Sequence, residues 1–124
     1  MANVTLRCAD ERLNEIVGKK FPDNVTLGKL GGIKWYLSRD ILEELFEELE
    51  FAIDHKDTKS LQLVSHTDCG LYKELGEDDS DSYEEDLLEA MATVGERFPE
   101  LKVVGYLYNV ETKEIIKYEL SDFS

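Results

Sequence analysis

Short apolar runs alternate along this chain with stretches of helical periodicity, and that alternation limits the fold more than any other feature. Val4–Cys8 reads as a buried strand, residues 11–20 as a short helix, 24–30 as a second strand that ends at the Gly31-Gly32 break, and 61–65 as a third. Asp40 and Glu43 predict a capping box ahead of Ile41, Leu42, Leu45, Phe46, Leu49 and Ile53, which recur at helical spacing. Ser82 and Glu85 predict another, followed by Leu87, Leu88, Met91, Val94 and Phe98 on one face. Residues 101–108 and 114–120 form a closing hairpin around "NVETKE". Strands separated by helices run parallel, because the crossover returns the chain to the same edge. The expected fold is therefore α/β: an open, mostly parallel sheet of about four strands plus an antiparallel edge strand, with helices on both faces, in a single domain over residues 1–124.

Composition narrows the function. With 28 acidic against 14 basic side chains the net charge is −14, which excludes nucleic acid as a partner because phosphate binding needs a basic face. No apolar run reaches membrane length and no repeats are present. Much of the acid lies between Glu43 and Glu50, on the outer face of a helix, and in "GEDDSDSYEED", read as a solvated loop leading into the next helix. Asp78, Asp79 and Asp81 lack the ordered glycine and final glutamate of a calcium loop. The first residues are not a charged-then-apolar leader, so the expected compartment is the cytoplasm.

The chain's only two cysteines each follow an apolar run. Cys8 opens "CADER", and Cys69 stands three residues after His66 in "SHTDCG". Two thiolates and one imidazole are three of the four ligands of a tetrahedral zinc ion, and an open fourth position separates a catalytic zinc from a structural one. His66-x-x-Cys69 is short enough to reach one ion from a single turn. In a doubly wound sheet, neighbouring strands whose crossovers leave in opposite directions open a crevice at their carboxyl ends. Cys8 and His66 are expected to face each other there.

These residues resemble the zinc site of the β-class carbonic anhydrases, which pairs C-x-D-x-R with H-x-x-C. Weaker likenesses accompany it: "VTLGKLGGI" to a glycine-containing loop after the second strand, "LEFAI" to the end of the following helix, and "VVGYLYNVETKEI" to the final strand pair. The resemblance implies that Cys8, His66 and Cys69 bind Zn2+. It implies that Arg12 pairs with Asp10 and keeps the aspartate off the metal, and that Asp10 becomes the fourth ligand when the pair breaks. The implied reaction is reversible hydration of carbon dioxide to bicarbonate by zinc-bound hydroxide, with hydrolysis of carbonyl sulfide or carbon disulfide, or a non-catalytic zinc role, as the alternatives. The implied assembly is a homodimer or higher homo-oligomer, with Trp35 and Tyr36 beside the second strand. Three departures stand out: Gly28-Lys29-Leu30-Gly31-Gly32 replaces a polar loop, the N-terminal helical arm is lacking, and the segment after Cys69 is shorter.

The residue types suit that chemistry. Zinc brings the pKa of its bound water near neutrality, giving a nucleophile without a strong base. Two thiolates leave that water less acidic than three imidazoles would, so activity is expected to rise on the alkaline side. Asp10 can accept a hydrogen bond from the nucleophile, and Arg12 can hold Asp10 ionised through a bidentate contact. Plainer readings exist: a disulfide or buried free thiols for the cysteines, a helix cap for the Asp10–Arg12 pair, a solvated helix end for His55, and a turn for Asp68.

Overall fold

The computed structural model describes residues 4–8, 10–21, 25–29, 39–56 and 58–119; at 11, 25–29, 39–42, 55 and 56 it describes the backbone alone. Among the described residues ten elements follow one another: β1 (Val4–Cys8), a 3-10 turn (Glu11–Leu13), α1 (Asn14–Lys20), β2 (Val25–Lys29), α2 (Arg39–Lys56), β3 (Ser60–His66), α3 (Gly70–Glu74), α4 (Ser80–Arg97), β4 (Lys102–Tyr108) and β5 (Ile115–Glu119). The strands form one sheet in the order β2-β1-β3-β4-β5. The first four are mutually parallel, and β5 pairs antiparallel with β4 through a register that sets Tyr108 against Ile115. This is the expected α/β architecture.

Burial explains the strand sequences. All five residues of β1 are buried, as are the last six of β3 and of β4, because central strands of a parallel sheet are covered on both faces. On β4, Val103 and Leu107 join the larger core cluster while Val104 and Tyr106 join a smaller one with Val64. This is the period-two alternation of a strand that packs on both sides. Over the larger cluster lies α4, with Tyr83, Leu87, Ala90, Met91 and Val94 buried. A Cβ at Gly105 would sit 2.4 Å from Met91 Sδ, so glycine is what lets α4 approach β4. On the other face, Phe21 meets the Tyr106 ring at 5.3 Å and Lys20 lies over it. Helices therefore cover both faces.

Leu45, Leu49 and Ala52 of α2 are buried, and Phe46 makes an edge contact with Phe98 at 5.8 Å.

Several local expectations need correction. The helix after the acidic run begins at Ser80, not near Ser82, so much of "GEDDSDSYEED" is helical rather than loop. Its cap is Asp79, whose carboxylate accepts from Ser82 N–H at 2.8 Å and from Ser82 Oγ at 3.0 Å. Asp79 has the extended backbone a cap needs, and a carboxylate is at least as good a cap as a hydroxyl. Likewise α2 begins at Arg39, one residue ahead of Asp40, which therefore stands in the first turn; its side chain lies outside the described residues. The helix at 11–20 is a 3-10 turn followed by α1. The short α3 was not expected. Trp35, Tyr36, residues 30–32 and the side chain of His55 lie outside the described residues.

Candidate metal centre

The sheet order places a topological switch beside β1, since β2 lies on one side of it and β3 on the other. β1 and β3 are paired up to Arg7 and Val64, so Cys8 ends one strand and His66 the next at the crevice where α/β sheets bind ligands. Cys69 follows a tight turn in which Asp68 takes a left-handed φ of 57°. Thr67 holds that turn to β4: its N–H donates to the Tyr108 carbonyl at 3.0 Å, and its Oγ1 accepts from Val110 N–H at 3.1 Å.

Cys8, His66 and Cys69 each offer a ligand atom, and these lie within 4.8 Å of one another; among the described residues no other group of three His, Cys, Asp or Glu could hold a metal ion. All three side chains are buried, and no disulfide joins the two cysteines. His66 Nδ1 lies 2.7 Å from the Thr67 carbonyl. A carbonyl only accepts, so Nδ1 carries the proton and Nε2 presents a lone pair. That Nε2 is buried without a hydrogen-bond partner. An unsatisfied buried acceptor costs about 1–3 kcal/mol, and a metal ion is the partner that a lone pair between two thiols suits. The Cys69 thiol is pushed down, chiefly by its hydrogen bond with Cys8 and further by the backbone N–H groups of Tyr72 and Leu71. Thiolate is the ligating form. The donor set fits zinc.

Asp10 stands at the rim, its Oδ2 4.0 Å from His66 Nε2. It is turned toward Arg12, which donates from Nε to both carboxylate oxygens at 3.0 and 3.2 Å, from Nη2 to Oδ2 at 2.7 Å, and from its backbone N–H to Oδ1 at 2.8 Å. Asp10 is thus both the partner of the guanidinium and the cap of the 3-10 turn. The Arg12 hydrogen bonds hold its carboxyl down at about 2, below the usual carboxylate range.

Three further residues take part in roles that the sequence did not assign them. Asp68 is the turn residue expected, but it also accepts from Arg12 Nη1 at 2.8 Å, its carbonyl accepts from Nη2 at 2.9 Å, and its carboxylate pairs with Lys73. Arg7 is buried and donates to the carbonyls of Cys8 at 2.8 Å and Asp10 at 2.6 Å, which fixes the loop between ligand and rim. The Tyr83 hydroxyl accepts from Cys69 N–H at 3.0 Å. Beside Arg12 opens a cleft of about 360 Å³ walled partly by Ile16, Lys19, Tyr108 and Val110.

No protein-family model and no curated protein matches the chain. Solved structures do. The β-carbonic anhydrase CafA of Aspergillus fumigatus superposes with a TM-score of 0.69 at 17% identity, over 94% of this chain and 74% of that one. The carbonic anhydrase of Streptococcus mutans does so with 0.61 at 21%, over 92% and 79%. A tetrameric β-carbonic anhydrase of Sordaria macrospora gives 0.63 at 14%, over 92% and 78%. The fold is that of the β-carbonic anhydrases.

Proposed function

We propose that this protein is a zinc enzyme that hydrates carbon dioxide reversibly to bicarbonate. The observation that carries the reading is the pairing of two features: a buried Cys8–His66–Cys69 donor set with an unpartnered His66 Nε2, and, beside it, a carboxylate held away by Arg12. Cys8, His66 and Cys69 would hold the ion, which supplies a Lewis acid that brings a coordinated water near neutral pKa.

The remaining work falls to the chain itself. Thr67 fixes the His66 tautomer through its carbonyl, which orients the ring and makes Nε2 the ligating atom. Asp10 stays ionised across the working range, and as an acceptor at the rim it orients the attacking oxygen through that oxygen's proton. Arg12 keeps Asp10 in that role by occupying both its oxygens. A small linear substrate needs little recognition beyond a sheltered wall, which Ile16 and Val110 of the adjoining cleft help to supply. By the same likeness we propose a homodimer or larger homo-oligomer; the Sordaria enzymes are described as tetrameric. No helix of the described residues is long and apolar enough to cross a membrane.

Elemental analysis and stopped-flow assays test the reading. Wild type is expected to carry about one zinc per chain, and Cys69→Ser to lose it. Hydration between pH 7 and 9 is expected to climb with pH. Zinc-free wild type, or zinc-loaded protein without hydration, overturns the proposal. Sulfide release from carbonyl sulfide without hydration moves the substrate to that molecule.

A further inference from the structure

The Tyr83 side chain sits beneath the metal centre at the start of α4, 14 residues beyond Cys69, and is 1% exposed. Its hydroxyl has two partners. The oxygen accepts from Cys69 N–H at 3.0 Å, and the proton is donated to Asp78 Oδ1. The ring packs on Tyr72 with centroids 4.3 Å apart, and Tyr72 is itself buried. Cys69 is the N-cap of α3, so its own N–H finds no acceptor within that helix. Asp78, by taking the hydroxyl proton, leaves the Tyr83 lone pairs directed at this N–H.

From this geometry we infer that Asp78 and Tyr83 form a positioning device for Cys69: they fix the backbone from which its thiolate projects into the metal centre. The inference rests on the metal reading above and extends it to residues outside the two ligand motifs. The lever is the main chain. Cβ follows directly from the backbone, so an amide held at 3.0 Å by a buried, stacked phenol fixes Cβ and leaves Sγ a single torsion. The Thr67 carbonyl orients His66 from the other side of the same turn. Partners that orient metal ligands typically contribute 10–100-fold in metal affinity.

Tyr83→Phe removes the hydroxyl and keeps the ring stacked on Tyr72. In the full chain loaded with zinc, it is expected to lose metal to a competing chelator about 10–100-fold more readily than wild type. Loaded with cobalt, it is expected to show an altered thiolate-to-cobalt charge-transfer band, and by NMR the Cys69 amide is expected to exchange faster. Asp78→Asn, whose amide oxygen still accepts from the phenol, should retain the wild-type band, whereas Asp78→Ala should resemble Tyr83→Phe. A purely structural role would lower the unfolding midpoint without moving the band or the metal affinity, and that result overturns the inference. Wild-type metal retention in Tyr83→Phe overturns it alone. A wild-type chain that takes up neither zinc nor cobalt overturns it together with the metal reading, before any variant is compared.

Discussion

Replacing Arg12 by alanine should separate catalysis from stability. The guanidinium gives Asp10 three of its four hydrogen bonds from this residue, and the backbone N–H that supplies the fourth survives the change. Hydrogen bonds to charged groups contribute about 1.5–3 kcal/mol where water is excluded. The Arg12 side chain is 42% exposed, and exposed pairs are worth only about 0.2–1 kcal/mol, so about 1–2 kcal/mol is the fair figure for what holds Asp10 in place. That is a factor of about 5–30 in the balance between Asp10 facing Arg12 and Asp10 turned toward His66, 4.0 Å away. Stopped-flow hydration should therefore fall by up to about 5–30-fold in Arg12→Ala, while the unfolding free energy changes by no more than about 1–2 kcal/mol. Arg12→Lys keeps the charge but not the planar fork, so it should recover only part of the rate. A variant that hydrates at the wild-type rate refutes the gating role. One that loses rate only in proportion to lost folded protein refutes it equally.

Gly105→Ala forces a Cβ against Met91 and Leu87 and should cost about 1–3 kcal/mol by denaturant titration, with metal content unchanged in the folded fraction; an unchanged midpoint would count against the packing described. Asp10 is held at about 2 when folded against about 3.9 unfolded, so the Asp10–Arg12 pair contributes stability above about pH 4 and loses it as the pH falls toward 2. The stability difference between wild type and Arg12→Ala should accordingly be flat from pH 5 to 8 and vanish below; a difference that grows in acid contradicts the assignment. Light scattering at micromolar concentration should give a dimer or larger species, and a clean monomer would remove the oligomer from the proposal.

The fold was legible because period and length agreed along the chain. Val4–Cys8 read as a buried strand and residues 61–65 as a third strand, and both fall where expected, buried on both faces of the sheet. Helix starts were less legible for a local reason. Several side chains near Ser80 can cap, and the choice between Asp79 and Ser82 turns on which residue adopts an extended backbone, φ −141° and ψ 157° at Asp79. Composition does not carry that information. Gly105 was silent for a different reason: its role is set by Met91 and Leu87 on another element.

The centre divides along the same line. Cys8, His66 and Cys69 could be picked out because metal ligands are rare residue types at strand ends, and Asp10 with Arg12 because they share one short loop. What orients them is common in type and distant in sequence. Arg7 looks like any charged residue until its burial between two strands leaves the carbonyls of Cys8 and Asp10 as its acceptors. Asp68 was legible as a turn, since aspartate tolerates the left-handed backbone it adopts at φ 57°. That same conformation turns its carbonyl and carboxylate to Arg12, 56 residues earlier. Tyr83 belongs to a helix whose apolar face explains its burial completely, so nothing local suggests that its hydroxyl reaches Cys69. A ligand motif therefore identifies which atoms can meet a metal. How firmly they are held is decided by residues chosen for the core, and only the folded arrangement joins the two.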